Sequence, residues 1–501
     1  IPEGRTGRTR PLTLSLSARA MAAHAAQPAQ AAQKRPRDDA PEKCPYLDTI
    51  NRHLLDFDFE KVCSQTLTHQ NVYACLVCGK FFAGRGRQTH AYTHSTSTQH
   101  HMFIHTETCK IYCLPDSYEV QDSSLDDIVK CLRPQFDSAK IAALDSSATL
   151  ARDVHGVAYL PGFCGLNNLK CTDYINVVTH ALAHVPPLRN FFLDHSNYSR
   201  FEDPLLNKFG ELVRKLWSKD NFKSVISPHE LVQAVTVASK LEFKIDKVAD
   251  AVDFCAWFLN YTHKALGGSR SKGSSIIHDV FRGEVHVETL SRRTHLTKRA
   301  EDGGEQRFDD SESGWERTEQ TLPFLYLTLD VPPTPLFKDS QGGNIIPQIP
   351  LFDVLTKYNG IKFADSVKRG LQSRKRYTIV KLPPYLIFHL ARFTRNNFCC
   401  EPRLRIPAKS TPLIGEKNPT IVNFPVKNLE LKDQFAFVDG KPEGHSTKFD
   451  LLANVTHDLP AGQSKEVQQN PLQHGTYRAH VRQRSSDQWY EIQDLHVSET
   501  M

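Results

Sequence analysis

Apolar positions along the chain fall into two periods. Ile175, Val178, Leu182 and Val185 recur at helical spacing behind the small, turn-prone run Gly165-Leu166-Asn167-Asn168-Leu169, and Pro186-Pro187 stops the run. This pattern predicts a helix whose first turn holds or adjoins Asp173, where unpaired amides and the helix dipole favour a negative charge. Another helical segment begins at Pro228-His229-Glu230-Leu231, and a further one carries Ala249, Val252, Phe254, Ala256, Trp257 and Leu259. Phe324–Leu329 and Tyr385–Leu390 alternate with the period of strands. Polar stretches separate these runs. Residues 1–43 are rich in Ala, Gln, Arg and Pro and read as a disordered basic tail. Residues 137–155 read as a linker and 294–318 as a charged, exposed loop, while 401–416 and 460–473 look like insertions.

Composition narrows the classes. A chain of 501 residues with 40% hydrophobic content has room for two or three globular domains. The net charge of +6 and pI of about 8.6 tolerate a nucleic-acid-rich setting without demonstrating RNA contact. No run approaches the roughly 18 apolar residues of a membrane span. The opening IPEGRTGRTRPLTLSLSARA lacks an apolar core with a cleavage site, which argues against a secretory signal. MAAHAAQ from Met21 reads as a natural start, and Lys34-Arg35-Pro36-Arg37 as a nuclear address or a solvated charge run. The 12 cysteines cluster early and include one C-x-x-C, which points to metal binding in a reducing compartment rather than to disulfides.

The C-x-x-C is Cys75-Leu76-Val77-Cys78, followed by Gly79 and then by His90, His94 and His100. Zinc takes four N or S ligands at tetrahedral geometry, and C-x-x-C presents two thiolates from one tight turn. A cysteine pair ahead of histidines at this spacing resembles the zinc finger of the ubiquitin-specific proteases. The resemblance implies one structural Zn2+ on Cys75, Cys78, His94 and His100. The family's other sites are depleted here. Thr66 and Ala83 fall on cysteine positions and leave Cys63 and His90 as a remnant or a second site, with His69 as a conceivable third ligand. Asp116 and Tyr46 leave Cys44 and Cys113 incomplete. In ubiquitin-binding members an aromatic pocket and an arginine clamp the free C-terminus. The matching positions are Tyr73, Arg85 and Tyr112, and tyrosine where the family often has tryptophan argues against ubiquitin binding and for a zinc-stapled interaction surface.

The second half resembles the protease domain of the same family. Gly165, Leu166, Asn168, Leu169, Thr172, Tyr174 and Asn176 match the cysteine box G-L-x-N-L-G-N-T-C-Y-x-N, but Asp173 stands at the nucleophile. Gly475 and Tyr477 set the register of the histidine box and put Thr476 at the base. Trp489–Asp494 matches W-x-x-F-D-D, with Gln493 at the orienting position. Cys171 aligns with the asparagine near the oxyanion and Lys170 with the glycine before it. Thiol-protease chemistry needs a thiolate, a histidine base, its orienting partner and an oxyanion donor. The first three are replaced without conserved chemistry. Asp173 then reads as a helix-capping carboxylate. A relocated dyad of Cys171 and His474 is the residual alternative, with His474 on the same strand face as Thr476; a packed thiol and a loop histidine are the plainer readings. His457 matches a family histidine that is not the base. Phe281-Arg282-Gly283-Glu284 resembles the start of the family's fingers, yet no cysteine lies between Cys255 and Cys399, so the usual fingers zinc is absent. Leu382-Pro383-Pro384 through Arg392-Phe393, and Asn423-Phe424-Pro425, match further family landmarks. Family members usually continue past the Gln493-Asp494 landmark, so a longer natural chain would explain the stop at Met501.

The resemblance implies an α+β chain: a disordered tail at 1–43, a zinc finger at 44–136, a linker at 137–155 and a papain-like protease domain at 156–501 with helical, sheet and extended-sheet parts. This combination of losses is that of the family's splicing-associated, catalytically inactive branch. It implies a nuclear, non-enzymatic scaffold in pre-mRNA splicing, with spliceosomal tri-snRNP proteins as partners, stabilising the tri-snRNP and its assembly into the spliceosome. The alternatives are a reader of ubiquitin or a ubiquitin-like modifier and, behind it, a residual thiol deubiquitinase.

Overall fold

The computed structural model describes residues 43–146, 149–271, 273–293, 315–333, 346–368, 371–393, 417–437, 446–460 and 471–500. The tail before Lys43 with its basic cluster, most of the 294–318 loop, the 401–416 stretch and most of 460–473 lie outside these residues.

The N-terminal part is built on a sheet. Strand β1 (Val72–Cys75) is buried at every position, because it runs between β2 (Phe81–Ala83) and β3 (Met102–His105). With β4 (Ile111–Cys113) and β5 (Tyr118–Val120) they form an antiparallel sheet in the order β2-β1-β3-β4-β5. The turn from β1 to β2 needs Gly79. Its φ is +73°, and a Cβ there would sit 2.2 Å from the Leu54 carbonyl oxygen. Helix α1 (His90–Thr98) packs against β2, and α2 (Asp126–Leu132) and α3 (Ser138–Ala143) lead onward.

The hairpin of β6 (Ala151–Arg152) and β7 (Ala158–Tyr159) precedes β8 (Gly165–Leu166), and then comes α4 (Asp173–Ala183). The spacing predicts a helix with one apolar stripe. Instead every residue of α4 except Ala181 is buried, including His180. Burial pulls the His180 and His184 imidazoles down to about 3 and about 4, so both are neutral core side chains. The two prolines also do more than end a run. Pro186 opens α5 (Pro186–Leu193), since proline at a first turn forfeits an amide that would be unpaired anyway. Next come α6 (Pro204–Leu216), β9 (Val225–Ile226, parallel to β8), α7 (His229–Ala238), α8 (Ala251–Ala265) and α9 (Ile276–Phe281). Together with Tyr477, Ala479, Val481 and Ile492 they enclose the largest core.

Strands β10 (Gly283–Arg293) and β11 (Glu316–Phe324) then extend away. The run Phe324–Leu329 is not one strand, because β11 ends at Phe324 and β12 begins at Leu327 (Leu327–Asp330). Likewise Glu316–Thr318, expected in a loop, is paired in β11. After β13 (Gln348–Pro350), α10 (Leu351–Leu355) and β14 (Ala364–Lys368), β15 (Leu371–Lys381) completes a sheet ordered β11-β10-β15-β14. Within it the buried Glu288 carboxylate is held by Arg317 at 2.7 Å and by Arg376. Strand β16 is short (Phe388–Ala391), so Tyr385–Ile387 lie outside it. The chain goes on through β17 (Ile421–Asn423), β18 (Leu429–Glu430) and β19 (Lys448–Phe449). A final antiparallel sheet follows: β20 (Ala453–Asp458), β21 (Thr476–Arg482), β22 (Trp489–Gln493) and β23 (His496–Thr500). A short helix, α11 (Pro471–His474), sits just before β21. The architecture is α+β.

Cys44–Met501 forms one unit, and its halves are joined by buried polar contacts. Lys215 of α6 donates to the Phe57 carbonyl at 2.8 Å and to Asp58 at 2.9 Å, while the other oxygen of Asp58 accepts from the Ser227 amide at 3.0 Å. Lys61 reaches Glu230 at 3.2 Å. Phe222 fills the apolar core of the N-terminal sheet beside Leu55 and Phe57. Removing one partner of a buried pair strands the other charge, so Asp58→Ala is expected to cost about 3 kcal/mol, read as a lower urea midpoint with an unchanged slope.

Candidate functional site

The first candidate site lies where α4 meets β21. The loop ahead of α4 is fixed by its own side chains. Asn168 Oδ1 accepts from the Thr172 amide at 3.0 Å, and Thr172 Oγ1 accepts from the Leu169 amide at 2.9 Å. Asp173 is the first residue of the helix and is 9% exposed. The cap position is Thr172, which makes no side-chain cap bond, and the Asp173 carboxylate instead reaches across to the sheet: Oδ2 accepts the Tyr477 amide of β21 at 3.0 Å. Tyr477 in turn accepts the Ala251 amide on its hydroxyl at 3.2 Å and donates to Asp250 at 3.1 Å. Next to it, the Gln493 amide donates to the Thr476 hydroxyl at 3.2 Å. Asp173, Thr476 and Gln493 are therefore brought together, as the motif register expects.

Burial holds the Asp173 carboxyl above the usual carboxylate range, with the Tyr477 amide opposing. Burial raises Asp494 as well; its hydrogen bond from Asn168, at 3.3 Å, opposes the rise and the charge of Asp173 adds to it. The His457 ring lies 4.8 Å from that of Tyr477 and so close to Gly475 that a Cβ there would come within 2.1 Å of it. Burial, and after it the Lys417 ammonium, brings His457 down to about 4.

The displaced dyad is not assembled. The Cys171 amide donates to the Ile245 carbonyl at 3.1 Å, and no hydrogen bond joins its thiol to His474. His474 is exposed and ends α11 rather than lying on β21, so the strand-face argument does not apply to it. Lys170 has φ +85°, a region that favours glycine, the residue the family carries there.

The second candidate site is the Cys/His cluster. One ligand atom each from Cys75, Cys78, His94 and His100 lie within 4.8 Å of one another. Cys78 Sγ is 3.4 Å from His94 Nε2, and Cys75 Sγ is 3.6 Å from His100 Nδ1. The hydrogen bond from the Cys75 thiol brings Cys78 well below the ordinary thiol value. Among the described residues this is the one such group, and Cys63 and His90 do not form another. Burial pushes the Cys63 thiol up, but hydrogen bonds from Thr66 and the amides of Gln65, Thr66 and Ala83 outweigh it. His69 is instead 3.4 Å from Glu60. At the other depleted site the Tyr118 hydroxyl donates to Cys44 Sγ at 3.1 Å, beside the buried Cys113. Tyr73, Arg85 and Tyr112 do converge. The Arg85 guanidinium lies 4.0 Å over the Tyr112 ring, and Tyr73 and Tyr112 are 4% and 9% exposed, which leaves the aromatic faces covered.

Residues 164–501 match the family model described as "Ubiquitin carboxyl-terminal hydrolase". The chain belongs to the ubiquitin carboxyl-terminal hydrolase family. Residues 62–125 match the "Zn-finger in ubiquitin-hydrolases and other protein". The chain is 46% identical over 465 residues to human "Ubiquitin carboxyl-terminal hydrolase 39", covering 91% of this chain and 77% of that protein. It is 42% identical over 461 residues to the "Probable mRNA-splicing protein ubp10" of Schizosaccharomyces pombe, covering 91% and 84%. Among solved structures, "Crystal structure of an essential yeast splicing factor" matches with TM-score 0.65 and 26% identity over 91% of this chain and 95% of that one. This member of the hydrolase family is a splicing factor on a ubiquitin-specific-protease fold.

The pH dependence at the α4–β21 contact has a definite sign. An acid raised above its unfolded value stabilises the fold when protonated and costs stability as pH rises through the unfolded value. Asn at this position keeps an acceptor for the Tyr477 amide and carries no charge. Asp173→Asn is expected to raise the melting temperature at pH 7, and the gain should shrink toward zero in thermal scans at pH 4 and below.

Proposed function

We propose that this splicing factor is a non-enzymatic scaffold of the spliceosomal tri-snRNP, acting in the nucleus, with an inherited protease centre that performs no hydrolysis. The observation that carries this is the Asp173–Tyr477 hydrogen bond. A carboxylate occupies the nucleophile's place and is committed to a backbone amide, while the base position bears a hydroxyl that accepts from Gln493. Carboxylate attack on an isopeptide would give a high-energy anhydride, and Thr476 cannot take a proton at neutral pH. The zinc finger at 44–136, the segment 137–155, which carries α3 and β6 and packs on the main core rather than running as a bare linker, and the domain from 156 onward then act as one surface for splicing proteins. Covered faces at Tyr73 and Tyr112 support a finger that works without ubiquitin.

The test is incubation of the purified full chain with ubiquitin bearing a C-terminal thiol-reactive electrophile, followed by intact mass. No adduct is expected, under conditions where an active family member reacts fully. An adduct lost in Cys171→Ser would overturn the reading.

We further infer one structural Zn2+, held by Cys75, Cys78, His94 and His100, whose donor set of two thiols and two imidazoles suits tetrahedral zinc. Its chemistry there is to staple β1 to α1. Elemental analysis is expected to give about one zinc per chain in the native protein and in Cys63→Ser, and none in Cys75→Ser. A count of about two, falling in Cys63→Ser, would restore the second site.

A further inference from the structure

The rim beside the retired centre carries strain that the centre does not use. After α7 the chain reverses through Ser239–Phe243, and two successive non-glycine residues there, Lys240 and Leu241, have φ +54° and +67°. Lys170, at φ +85°, belongs to the facing turn. The Cys171 amide bonded to the Ile245 carbonyl ties the two turns together. Left-handed backbone costs a non-glycine residue about 1–2 kcal/mol, and such strain persists where a site makes use of it.

What the strain holds at the surface is basic and apolar. Lys170 and Lys240 are exposed, and their ammonium groups have no ion pair among the described residues. Leu241 is 65% exposed and Val237, one turn back on α7, is 75% exposed. Lys244 and Lys247 complete the rim. Asp246 takes Lys244 at 3.1 Å, and Lys247 Nζ donates to the Glu242 carbonyl at 3.0 Å. Four lysines thus outnumber the two acidic residues of this stretch, Glu242 and Asp246, beside two bare aliphatic side chains.

We propose that this rim docks an acidic segment of a partner protein that carries a bulky aliphatic residue. Its carboxylates meet Lys170, Lys240, Lys244 and Lys247, and its aliphatic side chain covers Leu241 and Val237. The apolar pair favours a protein over a nucleic acid, whose phosphates would leave it wet. The inference rests on the scaffold reading, because a working protease would need this rim free for substrate.

The test is fluorescence anisotropy on the full chain with three labelled probes: a peptide of glutamate and leucine, an all-glutamate peptide of equal length, and oligouridylate. The glutamate–leucine peptide is expected to bind most tightly and to weaken with salt. The double variant Lys170→Gly, Lys240→Gly suits the positive φ values and so keeps the fold, with melting no lower than the parent. It is expected to weaken that peptide about tenfold, or ~1.4 kcal/mol. Leu241→Asn should weaken the glutamate–leucine peptide and leave the all-glutamate peptide unchanged. Absent peptide binding, unchanged affinity in the double variant, or preference for oligouridylate would overturn the docking proposal. An adduct with the ubiquitin electrophile would overturn the scaffold reading instead, so the two failures are distinguishable.

Discussion

The structure depends on closing α4 against β21. Helix α4 is buried on nearly all sides, and the start of β21, ahead of its pairing with β22, presents to it an amide that needs an acceptor. A carboxylate meets that need. Tyr477 spreads the same contact to the start of α8 through its hydroxyl. Here, where the family's motif carries a cysteine, a carboxylate is bonded to the main chain within the core.

The zinc finger shows the same exchange of chemistry for packing. One cluster keeps a full set of metal donors. The two depleted positions are closed by hydrogen bonds, from Thr66 and nearby amides to Cys63 and from Tyr118 to Cys44. In the extended sheet, where family members carry a metal, Glu288 between Arg317 and Arg376 draws neighbouring strands together. Such a buried carboxylate requires both its partners, since desolvation exceeds what one ion pair returns.

Much of this was legible in the sequence because motif register is local. Gly475 and Tyr477 bracket Thr476, and the C-x-x-C-G run fixes its own turn. The remainder was hidden for physical reasons. The partner of Asp173 is a backbone amide 304 residues away, and a main-chain donor leaves no signature in residue types. Pro186-Pro187 read as a stop because proline ends one helix and opens the next by the same property. The strain at Lys170 had one usable signal, a lysine where the family has glycine. Asp58 and Lys215 gave none, since an isolated acid and base look like surface residues until the fold buries them.

The seam between finger and helices constrains how the chain is made. Phe222 completes the finger's apolar core, and Lys215 supplies the charge that Asp58 requires. The finger's own strands end at Val120, about a hundred residues earlier. During synthesis, therefore, the N-terminal sheet waits with part of its core open and a carboxylate unpaired until α6 and the segment after it leave the ribosome. The Cys75, Cys78, His94 and His100 cluster can gather β1 and α1 in that interval, but the finger reaches its final form only together with the domain that follows it.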